Sequence, residues 1–165
     1  IILVDDVKIV AAEYTTEIIN NKTYIKNTSL TGELKIPEQI DGERVYGILS
    51  GALAADSITR LEIPYGITLE EGAVSVNTII SANPYSDAIR YARENNITYI
   101  YNCGDVNGNG TTDILDLVRL KRYLADDTTE INRAQANIDP RDEKGVINAA
   151  DLAALKKILL EPSRF

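Results

Sequence analysis

The chain has 165 residues, enough for one or two domains, and carries a formal charge of −8 at pH 7. It contains no His and a single Cys, Cys103, which removes the commonest general base and zinc ligand and leaves no disulfide framework. Basic residues form nothing larger than Lys-Arg and Lys-Lys pairs and no apolar run nears the ~20 residues that span a bilayer, so neither nucleic acid nor a membrane is an expected partner. The first residue is Ile rather than Met, which reads as a fragment of something longer. A signal peptide upstream of Ile1 would not be seen.

In chain order, Ile1-Ile2-Leu3-Val4 is expected as a strand, and Tyr24-Ile25 as part of another after the Asn20-Asn21 turn signal. From Ser29 a pattern sets in. Leu34-Lys35-Ile36-Pro37 returns as Leu61-Glu62-Ile63-Pro64, and Val76-Asn77-Thr78-Ile79-Ile80 is a shorter third copy. Each of the two Pro-ended copies is followed by a Gly-plus-small corner, Gly51-Ala52-Leu53 and then Gly72-Ala73-Val74. Short strand, Pro stop and small-residue corner are what a leucine-rich-repeat solenoid requires, with inward Leu and Ile stacking into a ladder. A small irregular β-domain with chance matches is the alternative. Pro84 to Asn96 reads as a capping helix with Ala88, Tyr91 and Ala92 inward, and Thr98–Tyr101 as a closing strand. Tyr46 and Tyr65 read as packing residues. The run from Ile36-Pro37 through Gly42, Val45 and Gly47 to Leu61-Glu62-Ile63-Pro64 resembles the bacterial surface-antigen type of leucine-rich repeat. That likeness covers roughly residues 24–101.

No Pro/Ser/Gly-rich linker follows Tyr101, so the N-terminal part is expected to touch whatever comes next, with Cys103 a semi-buried thiol at the junction. Next is Gly104 to Asp116, G-D-V-N-G-N-G-T-T-D-I-L-D. Asp105, Asn107, Asn109, Asp113 and Asp116 fall at positions 1, 3, 5, 9 and 12 of a calcium loop, with Gly110 at the sharp turn of position 6. Calcium takes six to eight oxygens at about 2.3–2.6 Å. Thr111 would add its backbone carbonyl, Asp113 would act through water, and Asp116 would close the loop with both oxygens. After the loop, Leu117, Leu120 and Leu124 mark one apolar stripe of a helix. The strand-like residues before it leave no place for the entering helix of an ordinary EF-hand.

This half unit is repeated. Asp113 to Leu124 aligns without a gap on Asn148 to Leu159, matching the closing Asp, three Leu and a Lys. Loop, helix, a short connector helix around Ile131 to Ala136, loop, helix resembles the dockerin module of cellulosomes over about Cys103 to Glu161. The resemblance implies an all-α module with two calcium sites. The second loop departs from the pattern. Counting back from Asp151 sets Asn148 at position 9, Val146 at 7 and Lys144 at 5, while the first ligand, Asp139, falls one residue early. A bulge around Pro140 would let Asp142 or Glu143 fill the middle positions; a loop that no longer holds metal is the alternative.

The resemblance further implies a partner, the cohesin module of a scaffoldin. Contacts would come from Ile114, Leu115, Val118, Arg119, Lys121 and Arg122 in the first half, and from Ala149, Ala150, Ala153, Ala154, Lys156 and Lys157 in the second. It implies an extracellular, cell-surface protein that is monomeric apart from that complex. The reading is therefore two modules. Residues 1–102 form a short leucine-rich-repeat, β-solenoid-like α+β domain (repeats about 29–82, capping helix about 84–96) for protein or carbohydrate interaction or spacing. Residues 103–165 form an all-α, type I-like dockerin. No Gly-x-Ser-x-Gly elbow or paired carboxylates in a cleft are found, so no enzyme is expected in this stretch. A calcium-responsive regulator or adhesion protein not tied to a scaffoldin is the competing class.

Overall fold

The computed structural model describes residues 13–141 and 145–161; the strand expected at Ile1–Val4 lies outside them. Asn20 and Asn21 both take left-handed backbone angles, φ 51° and 59°, the pair of positive values that a tight hairpin turn needs. They fold β1 (Tyr14–Ile19) antiparallel onto β2 (Lys22–Thr28). Asp41 and Gly42, φ 53° and 83°, do the same between β4 (Gln39–Ile40) and β5 (Glu43–Ile48).

The remaining strand pairs among the described residues are parallel. In one sheet β2, β5 and β7 (Thr68–Leu69) lie side by side, Ile25 opposite Ile48 and Ile48 opposite Leu69. In the other, β3 (Gly32–Lys35), β6 (Ile58–Ile63), β8 (Ile79–Ala82) and β9 (Tyr99–Tyr101) follow in order. The two L-x-I-P stretches become neighbours here, with Leu34 opposite Leu61 and Leu61 opposite Ile80. Their corners stack as well, the Leu53 N–H donating to the Ala73 carbonyl at 2.8 Å. Ile25, Ile36, Ile48, Leu53, Leu61 and Ile63 are enclosed in one apolar core.

This corrects the fold expected for residues 1–102. The described part, residues 13–102, forms a mixed-sheet domain of many strands, not a short leucine-rich-repeat solenoid. The physical reason is the two positive-φ turns, which send the chain back on itself and graft antiparallel pairs onto the parallel ladders. Tyr65 is corrected too: it is 47% exposed rather than packed inward.

Gly47 shows how closely the ladder β2-β5-β7 is drawn together. A Cβ there would lie 2.5 Å from Thr68 Oγ1 and 2.9 Å from the Tyr24 ring. Gly47→Ala is therefore expected to destabilise the N-terminal domain by about 1–3 kcal/mol, the usual cost of overpacking, read as a lower urea midpoint at unchanged slope.

Helix α1 (Asp87–Glu94) begins where the Ser86 hydroxyl accepts the Ile89 N–H, and it buries Ala88, Tyr91 and Ala92 as the pattern predicts. After β9 come α2 (Ile114–Ala125), the one-turn α3 (Arg133–Ala136) and α4 (Ala149–Leu160). The region is only partly helical, which corrects the expectation of an all-α module. Asp113 caps α2 and Asn148 caps α4, each with a capping box. The helices cannot extend back past those caps, and Gly104, Gly108 and Gly110 hold the preceding loop in left-handed φ. Leu117 and Leu120 of α2 share a second core with Ala154, Leu155 and Ile158 of α4. Leu124, expected in the stripe, is 37% exposed and stands at its margin, while Tyr123 packs against this core.

The two parts meet, as the missing linker predicts. Tyr85 and Tyr101 pack against the second core. Asn83 Nδ2 donates to the Ile138 carbonyl at 2.8 Å, and the Tyr101 hydroxyl to the Glu161 carbonyl at 3.1 Å. Cys103 lies buried between them; burial first, and the charge of Asp151 second, push its thiol up to about 12, so it is a packing residue and not a nucleophile.

Candidate metal centre

The first loop is drawn together by its own oxygens. One carboxylate oxygen of Asp105 accepts the Asn109 N–H at 3.0 Å and the other the Gly110 N–H at 2.9 Å. Asn107 Oδ1 accepts the same Asn109 N–H, and Asn109 Oδ1 accepts both the N–H and the hydroxyl of Thr111. Asp113 Oδ1 accepts the Leu115 N–H at 2.7 Å as the cap of α2. Asp116 is completely buried. Its two oxygens accept the N–H groups of Asn107 at 2.9 Å and Asp113 at 2.8 Å, tying the start of the loop to its end.

The donor set suits a hard cation. Asp105 and Asp116 each use two of about four acceptor directions on N–H groups, leaving lone pairs for a further partner. Among the described residues none of Asp105, Asp113 and Asp116 forms an ion pair, and a buried carboxylate in that condition is costly without a positive charge. No three His, Cys, Asp or Glu side chains among the described residues gather closely enough to hold a metal by themselves. The loop's offer is mixed carboxylate, amide and backbone oxygen, which is calcium's chemistry.

The second loop repeats the clasp at its end. Asp151, also completely buried, accepts the N–H groups of Ile138 and Asp139 on one oxygen and of Asn148 on the other, at 2.8–2.9 Å. Its beginning differs. Asp139 is gripped by both Nε and Nη2 of Arg141, and these hydrogen bonds, ahead of the guanidinium's charge, hold the Asp139 carboxyl below the usual carboxylate range. The Val146 carbonyl accepts from Asn148 Nδ2 at 3.0 Å. Asp142 and Glu143 lie outside the described residues. Arg141 was missed from sequence, although its place two residues after the first ligand was the available signal.

Of the residues implied as partner contacts, Ile114, Leu115 and Val118 are 60%, 58% and 41% exposed, and Lys121 and Arg122 are exposed. Arg119 is half-buried, donating to the Glu130 carbonyl at 3.2 Å. In the second half Ala149, Ala153, Lys156 and Lys157 are exposed and Ala150 half-buried. Ala154 is corrected: at 1% exposure it belongs to the core beside Leu155 and cannot meet a partner.

Residues 103–160 match the family model of the dockerin type I domain. Domains of that family are non-catalytic, bind calcium and anchor proteins by docking on cohesin modules, and they are typical of secreted cellulosome components. The match speaks for that stretch and lends nothing to the repeat reading of residues 29–82. No curated protein matches the chain, and no solved structure does. Among the described residues no helix is long and apolar enough to cross a membrane.

Proposed function

We propose that residues 103–161 anchor this protein, outside the cell, to a cohesin on a scaffoldin, and that the first loop is the calcium site on which the anchor depends. Asp105, Asn107, Asn109, the Thr111 carbonyl, Asp113 through water and Asp116 form its ligand set. Bound calcium supplies the positive charge that offsets the clustered carboxylates and fixes the loop against α2. The observation that carries this reading is the fully buried Asp116, a carboxylate with two backbone N–H partners and, among the described residues, no cationic one.

The second loop is a weaker site on this reading. Asp139, Asp142, Glu143, the Val146 carbonyl, Asn148 and Asp151 would serve it, but Arg141 must first leave Asp139. The protein is a monomer until docked, nucleic acid and membranes are not its partners, and any catalytic activity of the parent protein would lie outside this stretch. The mixed-sheet domain contributes protein or carbohydrate contact, or spacing. The test is capture of the chain on a panel of immobilised cohesin modules with calcium and with excess EGTA, beside calorimetric titration of calcium into the stripped chain. One tight and one weaker site, with capture lost in EGTA, is the expected outcome. Capture that persists in EGTA ends the calcium mechanism.

A further inference from the structure

The repeat gives the C-terminal region two related surfaces, one at the start of α2 and one at the start of α4, so a docking partner has two candidate faces. They are not equally free. At the first, Leu115 and Val118 stand exposed beside a groove of about 310 Å³ lined also by Asn107, Asn109, Arg119 and Arg122. No ion pair, hydrogen bond or ring contact of the N-terminal domain reaches these side chains among the described residues.

At the second face the counterpart of Arg122 is Lys157, and its ammonium stands 5.5 Å from the centre of the Tyr85 ring. The Arg141 guanidinium lies 4.5 Å from the same ring, so two cations of the second half converge on one aromatic of the N-terminal domain. Ala154, the counterpart of Arg119, is buried. At the C-cap of α4, Glu161 is held by the Tyr101 hydroxyl and pairs with Arg93 at 3.5 Å. What the second face leaves open is Ala149, Ala153, Lys156 and Lys157. Where the first face has Leu115 and Val118 it has only Ala150 and Ala153, and its exposed large apolar side chains, Val146 and Leu160, lie in the loop before α4 and at the end of that helix.

We infer that the N-terminal domain selects the docking orientation. A cohesin with an acidic rim seats on the first face alone, Leu115 and Val118 forming the buried anchor and Arg119, Lys121 and Arg122 the charged border, while Tyr85 covers the flank of the second. This rests on the anchoring reading above and deepens it by naming the face. The charge pattern argues for the acidic rim: three cations surround the first apolar patch and no Asp or Glu lines its groove.

The experiment uses the full chain with calcium and whichever cohesin module captures it best. Leu115→Asp with Val118→Asp is expected to weaken capture by about a hundredfold or more, whereas Ala153→Glu with Lys156→Glu changes it by less than about twofold. Thermal melting in calcium checks that each variant is folded. Amine-reactive footprinting gives a second readout: docking protects Lys121 and leaves its repeat counterpart Lys156 as reactive as before. In the undocked chain Tyr85→Ala raises the reactivity of Lys157. Equal losses from both pairs of substitutions, protection of Lys156, or an unmoved Lys157 would overturn the proposal while the anchoring reading stands. Absence of capture by every cohesin would remove both.

Discussion

Asp116→Ala is expected to abolish calcium-dependent folding of residues 103–161 and capture on cohesin together. The substitution strips the Asn107 and Asp113 N–H groups of their acceptor, and each orphaned group costs about 1–3 kcal/mol. On the proposed calcium reading it also removes the ligand that closes the first loop. A ligand present at a thousand times its Kd contributes about 4 kcal/mol to the folded state. The two losses together approach the whole stability of a domain this small. Circular dichroism should show the helical signal falling while the β signal persists, because the mixed-sheet domain has its own core around Ile25, Ile48 and Leu61. Asp116→Asn keeps the size and one acceptor oxygen; it should retain part of the fold yet bind no calcium at the first loop. A variant that still binds calcium tightly would show that Asp116 is a structural cap only.

Leu155→Ala is the second large effect. Leu155 has no exposed surface and sits where α4 meets Leu117 and Leu120 of α2, with one methyl 3.4 Å from where a side chain on Gly104 would begin. Truncating it should cost about 2–5 kcal/mol, the range for a buried leucine whose surroundings cannot fully collapse. Without calcium that loss should leave the two helices unpaired. With saturating calcium the module should refold at a lower melting temperature, and calorimetry will read the same number of sites at weaker apparent affinity. An unchanged melting temperature in calcium would mean that the helices do not pack as described.

Those two residues were legible in the sequence for different reasons. Asp116 stands at the last position of a spacing that few other structures use, and Leu155 lies on a stripe repeated between two aligned segments. Helix α1 was legible too, from the Ala88, Tyr91 and Ala92 spacing behind a Ser cap. The arrangement of β2, β5 and β7 against β3, β6, β8 and β9 was not. Those strands run two to seven residues, and their partners lie some twenty residues away, so local pattern says little about which sheet each joins. The hairpin at Asp41-Gly42 had a local signal, an Asp-Gly pair, that the repeat reading passed over. Ala154 is buried and Leu124 sits only at the edge of the stripe because helical periodicity fixes a stripe but not how wide a strip the neighbouring element covers. Tyr85 and Asn83 carry no sequence mark at all; their role appears only once the second loop folds up against them.

Tyr101, just before the C-terminal module, and Glu161, at its far end, touch, with Arg93 bracing both through its guanidinium. A load applied through a docked scaffold would therefore be shared between the covalent path at Asn102 and this second tether. The last turn of α4, where a terminal helix ordinarily frays first, is stitched to the edge strand β9. Peeling the module away would have to break the stitch and the strand together.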